Sequence, residues 1–125
     1  MIVAFRRGRS GGFVMLDTYT GRGRVHDMMI RAVGNGLDGT IVHRDGIFLT
    51  THQPHEILLQ VRDHRVTASL DGEEQVRWSA DWSLIEQSEP TFFPESLGGR
   101  PIFGVGACCS DVTFHSVELR EVAED

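Results

Sequence analysis

Lysine is missing from this chain: all 12 basic residues are arginine, so neither a Schiff-base mechanism nor a phosphate-loop lysine is available. Cysteine is almost missing. The two present, Cys108 and Cys109, are neighbours, and successive side chains of an extended chain point to opposite faces, so a bridge between them needs strained geometry. They read as free thiols, one packed inward and one outward, and say little about redox compartment. No apolar run approaches the roughly 20 residues of a membrane span. The opening stretch, MIVAFRRGRS, carries its charges behind its apolar residues, the reverse of a signal peptide. A basic excess is also lacking, since the formal net charge of -6 argues against a domain held to nucleic acid by phosphate contacts. Neither nucleic acid nor membrane is expected as a partner, and the compartment is left open.

What the chain does have is strand pattern and turn chemistry. Its 125 residues, 40% of them hydrophobic, suit a single domain over 1–125 that buries about two-thirds of its unfolded surface. The clearest stretch runs from His55 to Trp78. There Ile57, Leu59 and Val61 alternate with Leu58, Gln60 and Arg62, and Val66, Ala68 and Leu70 repeat the period, as expected for strands with one face on a core. Asp63-His64 makes a two-residue connection, and Asp71-Gly72 tolerates the positive φ values of a tight hairpin. A three-stranded meander follows.

Elsewhere the pattern predicts a strand at Ile2–Arg6, a glycine-rich connection, and a second apolar run at Phe13–Leu16 that forms a hairpin with the first. Thr18–Arg24 reads as loop. Val25–Val33 reads as a third strand, with Met28 and Ile30 on one face and Met29 and Arg31 on the other. Thr40–Val42 is a candidate short strand, followed by a turn at His43-Arg44-Asp45-Gly46 and a return at Ile47–Thr50. Residues 79–100 form a long irregular connection, because Pro90, Pro94, Gly98 and Gly99 exclude a regular element; Trp82–Glu86 is short enough for one helical turn. Pro101–Ala107 reads as a strand, its interior Gly104 and Gly106 marking a bend or a close backbone approach. The last strand, Val112–Val122, changes phase midway: a β-bulge near His115-Ser116 is needed to put Val112, Phe114, Val117 and Leu119 on one side. Short strands, frequent turns and almost no helix give an all-β, antiparallel two-sheet sandwich.

The string VRDHRVTASLDGEEQVRW, the Asp81 to Leu84 step, and IFGVGACCSDVTFHSVELREV together resemble the C-terminal half of concanavalin A-like jelly-roll domains of the laminin-G or 3-keto-disaccharide-hydrolase type. The positions carrying the likeness are Asp71, Gly72, Trp78, Gly104, Gly106, Phe114, Val117 and Leu119. The likeness covers residues 55 to 122 well and 1 to 54 loosely. It implies a jelly roll of the kind found as accessory modules of large bacterial proteins. Domains of that family carry further strands before the point matching Ile2, so either this version is minimal or the chain lacks them; the second case implies an open sheet edge able to pair with another chain. These residues transfer architecture and no activity.

No catalytic signature accompanies the fold. Retaining glucanases of this kind place two carboxylates on one face about 5–5.5 Å apart, whereas Glu73-Glu74 are adjacent and Glu118 and Glu121 differ in parity, so both pairs read as solvated. No catalytic residue is assigned. His52 and His55, with Asp45 or His43 nearby, are imidazoles of the kind that bind divalent metals, without the paired spacing of a zinc site. Asp17, Asp27, Asp38 and Asp45 fall in or beside loops, as calcium ligands do, and equally as turn residues do. No metal or cofactor is assigned, calcium being the one alternative. For a sugar ring, Tyr19, Trp82 and Phe92 are the stacking candidates. Trp82 and the Phe92-Phe93 pair equally suit pinning the long connection to the sandwich, and Trp78 reads as core. Arg9, in the Arg6-Arg7-Gly8-Arg9 turn, is a bidentate partner for acidic sugars, or simply solvated.

These readings give a non-catalytic accessory module with carbohydrate as its expected ligand class. One alternative is a sugar-directed hydrolase of the 3-keto-disaccharide type, using a carboxylate and a histidine from loops. A second is a structural interaction domain that associates through an open strand edge or with other domains of a parent chain.

Overall fold

The structure is a computed structural model that describes residues 1–7, 10–20, 23–32, 40–82, 103–107 and 111–123. Strand is the dominant regular structure of the described residues. β1 (Ile2–Arg7), β2 (Ser10–Thr20), β3 (Gly23–Ala32), β4 (Thr40–Asp45) and β8 (Gly104–Gly106) form a five-stranded sheet in the order β4-β3-β2-β1-β8. β5 (Ile57–Val61), β6 (Arg65–Leu70) and β7 (Glu73–Ser79) form a second, three-stranded sheet in chain order. Every pairing is antiparallel. The two sheets lie face to face, β7 against β3 and β4, and β5 against β1.

The meander follows its turn residues. Arg62 N–H donates to the Arg65 carbonyl at 2.8 Å, leaving Asp63-His64 as the two-residue connection. At the other end Leu70 pairs with Glu73 across Asp71 (φ 51°) and Gly72 (φ 82°). Positive φ at both central residues is the signature of a type I′ turn, whose twist matches that of the strands it joins. The side chains Val66, Ala68, Val76 and Trp78 thereby face Phe5, Val14, Leu16, Met28 and Ile30 of the larger sheet, with Ile57, Leu59, Val61 and Leu70 packed at the margin. Removing this apolar surface from water is the main stabilising term, roughly 1.5–3 kcal/mol for each fully buried large side chain.

Four sequence expectations are corrected. β2 and β3 continue through most of Thr18–Arg24, where the sequence pattern predicts loop: Thr18 pairs with Val25, Tyr19 with Arg24 and Thr20 with Gly23. Their ladder carries a bulge instead, because one residue of β2, Asp17, stands against two of β3, His26 and Asp27. β4 continues through His43 and Arg44 to Asp45, so these residues are strand and not turn. Ile47–Thr50 does not pair back; Ile47 drops into the core while Gly46 and Ile47 N–H groups donate to the His26 carbonyl at 2.9 and 3.3 Å. The fourth correction is the largest. Residues 112–122 form no strand, and the bulge expected at His115-Ser116 has no ladder to sit in. Phe114 is 38% exposed and Leu119 69% exposed, so neither enters the shared interior. Alternation is necessary for a half-buried strand, but it does not supply the neighbouring strand.

β8 confirms a strand within Pro101–Ala107 over Gly104–Gly106. A Cβ added at Gly106 meets nothing within 4 Å, so no close backbone approach explains that glycine. Trp82 is the last described residue before the 83–100 connection; the rest of Trp82–Glu86, that connection and Cys108-Cys109 lie outside the described residues.

Candidate aspartate-histidine site

Of the aromatic candidates for stacking on a sugar, Trp82 is the one whose side chain lies among the described residues. Trp82 is only 6% exposed: its ring packs edge-on to Trp78 at 5.3 Å and to Phe5 at 6.4 Å, and its indole N–H donates to the Asp63 carbonyl at 2.8 Å. A ring so enclosed is a pin between the meander and the larger sheet, with no face free for a sugar. Tyr19 stands in β2 opposite Arg24. Arg9 and Phe92 lie outside the described residues.

Among the described residues, histidine and aspartate converge in three places. At the first, His26 Nδ1 lies 3.2 Å from Asp17 Oδ1 beside the β2–β3 bulge. At the second, His55 clamps the turn of the meander. Its Nε2 accepts from Thr50 N–H at 2.9 Å, so the ring hydrogen belongs on Nδ1, which contacts Asp71 Oδ2 at 2.7 Å. Asp71 Oδ1 also accepts from Glu56 N–H at 2.8 Å. The His55 hydrogen bond first, and then the Glu56 N–H, hold the Asp71 carboxyl below its ordinary range. Both nitrogens of His55 are thus used within the fold, and the pairing of His52 with His55 as metal ligands is not what the structure builds.

The third place joins β3 to β4 on the face turned away from the core. Met28 and Ile30 point inward, so by strand alternation Asp27 points outward, and His43 and Asp45, two apart on β4, share that face. Asp27 pairs directly with Asp45 across the ladder. His43 Nε2 lies 2.8 Å from Asp27 Oδ2 and 3.4 Å from Asp45 Oδ1. One ligand atom from each of the three residues lies within 4.8 Å of the other two. Burial differs sharply along the cluster: Asp27 is 1% exposed, while the side chain of Asp45 is 79% exposed. Arg44, between them in sequence, points to the other side and donates to the Gln75 carbonyl of the second sheet at 3.3 Å.

The bulge helps explain how a carboxylate comes to be buried there. An extra residue in β3 bends the strand and re-aims its side chains, as bulges commonly do beside sites. The same outward face is apolar further along, where Ala4 and Phe13 are buried with Ile2 and Met15 around them. Chemically, a buried carboxylate, an imidazole and an exposed carboxylate can accept and donate hydrogen bonds to a hydroxyl-rich molecule, orient a proton-transferring imidazole, or ligate a cation.

Asp27, Asp45 and His43 were each visible in the sequence as separate metal-ligand candidates, but not as a group. The missed signal is His43-Arg44-Asp45 read as strand, since an i, i+2 pair on a strand shares a face. No known protein family matches the chain, and no curated protein or solved structure does either.

Proposed function

We propose that this chain is a non-catalytic carbohydrate-binding module, built as a jelly roll of the concanavalin A-like type that residues 55 to 122 resemble in sequence, and that its ligand meets the outward face of β3 and β4. The observation that carries the reading is the convergence of Asp27, His43 and Asp45 at a solvent-open sheet edge. The exposed Asp45 carboxylate accepts from a hydroxyl and the half-exposed His43 ring donates or accepts, while the buried Asp27 orients that ring. The antiparallel two-sheet arrangement supports a β-sandwich; the jelly-roll and accessory parts of the reading rest on the sequence resemblance. The test is a titration of the 125-residue chain with a broad oligosaccharide panel, followed by amide chemical shifts. Saturable shifts centred on Asp27, His43 and Asp45, reduced in Asp45→Asn, are expected; a flat response across the panel would end the proposal.

Two observations favour other readings. The contact between the buried Asp27 carboxylate and His43 is the pairing by which an acid orients a general base, as a sugar-directed hydrolase requires. Release of reducing ends or keto-sugars that disappears in His43→Ala would select it. The exposed apolar alternation of residues 112–122 favours an interaction domain that adds a strand to a neighbour's open edge. Scattering that reports association with rising concentration would select that one.

A further inference from the structure

We propose that Asp27, His43 and Asp45 form a three-ligand site for a first-row divalent cation of the zinc class. The inference deepens the ligand-face reading by naming what would organise that face, and it rests on that reading only for its consequence in sugar binding. Three observations lead to it. Asp27 and Asp45 are directly opposed across the β3–β4 ladder, and like charges placed so are destabilising. One of the two is buried, where a second negative charge alongside is screened less by water. A cation between them relieves that repulsion.

The second observation concerns His43. A single nitrogen, Nε2, lies close to oxygens of both carboxylates, at 2.8 and 3.4 Å, whereas one N–H aims well at only one acceptor. Three donors converging from two strands are better matched by one central ion. Atoms bound to zinc at 2.0–2.1 Å in a tetrahedron stand roughly 3.3 Å apart, so the longer contact already fits and the shorter must open by about half an ångström. The third observation is the donor set. One imidazole and two carboxylates suit zinc, manganese or cobalt, and are too few and too nitrogen-rich for calcium, which takes six to eight oxygens. Three protein ligands leave a fourth position for water or a ligand hydroxyl, the pattern of open zinc sites.

The other histidines differ in kind. His55 has both nitrogens occupied in the turn clamp, and His26 faces a single aspartate. They serve as internal controls.

The experiment uses the untagged 125-residue chain, treated with chelator and then titrated with Co²⁺ followed by visible absorption, and with Zn²⁺ by calorimetry. One equivalent is expected, with Co²⁺ bands of tetrahedral or five-coordinate intensity. Binding should weaken by tenfold or more in Asp45→Asn and in His43→Ala, both half-exposed or exposed positions whose substitution leaves the core intact, and stay unchanged in His26→Ala. Failure of the wild-type chain to take up either ion overturns the proposal. Uptake that survives in both cluster variants, or that is lost instead in His26→Ala, overturns it as well. The same oligosaccharide titration run with and without Zn²⁺ separates the two ideas: sugar binding with no metal uptake sinks this inference alone, and metal uptake with no sugar response sinks the carbohydrate reading alone.

Discussion

The meander Ile57–Ser79 and the segment 111–123 are written in the same alternating pattern and end in opposite states. In the meander, each apolar set meets the facing sheet, and Val66 and Ala68 are fully buried. In the C-terminal segment, Val112, Phe114, Val117, Leu119 and Val122 are all exposed, and no backbone hydrogen bond joins it to another of the described residues. A side-chain contact from Arg62 to the Ala123 carbonyl ties down its end. The difference lies in the turns. Asp63-His64 and Asp71-Gly72 deliver each strand of the meander to its neighbour at short loop-closure cost. Nothing in the sequence delivers residues 112–122 to a particular edge. Period two states which side of a strand is apolar; it does not say what the strand pairs with.

The largest effect expected is at the pin that joins the meander to the rest. Trp82→Ala removes a buried indole and its hydrogen bond to Asp63, and should cost about 3–5 kcal/mol in urea unfolding at unchanged m-value. A loss under about 1 kcal/mol would show that Trp82 lies outside the cooperative core and break the contrast between the two regions.

A smaller effect should appear at the turn clamp, and it depends on pH. A carboxyl whose pKa is lowered on folding contributes stability above its unfolded pKa and loses it as pH falls through the folded value. The hydrogen bond from His55 is the first cause of that lowering at Asp71. His55→Ala should therefore destabilise at neutral pH, with the gap to wild type narrowing as pH falls below the ordinary carboxylate range. Paired denaturation curves across the acid limb measure this, and a gap that widens on acidification would contradict the clamp.

The smallest effect belongs to the C-terminal segment. Phe114→Ser and Leu119→Ser should each change monomer stability by no more than about 0.5 kcal/mol, the scale of ordinary surface substitutions. Losses of several kcal/mol at low protein concentration would mean that the segment is packed as the sequence pattern expects, and the two regions would no longer differ.

The candidate site was legible only in pieces. Asp27, His43 and Asp45 are ordinary residues in a chain with many aspartates and six histidines, and no spacing joins position 27 to positions 43 and 45. His43-Arg44-Asp45-Gly46 carries good turn chemistry, which hid the strand that puts His43 and Asp45 side by side. Trp82 was readable either as a sugar platform or as a pin, since an aromatic in an irregular segment suits both until its neighbours are known.

By itself the sequence determined what local chemistry controls: strand periodicity, the inward set of β3, β5 and β6, and the hairpin at Asp71-Gly72, whose φ values few other residue pairs accept. Tertiary structure alone decided which edge meets which, and therefore that β4 lies against β3 with Asp45 opposite Asp27 while residues 112–122 stay unpaired. The physical reason is that local preferences act over a few residues, whereas pairing is won by burying surface that distant segments contribute jointly.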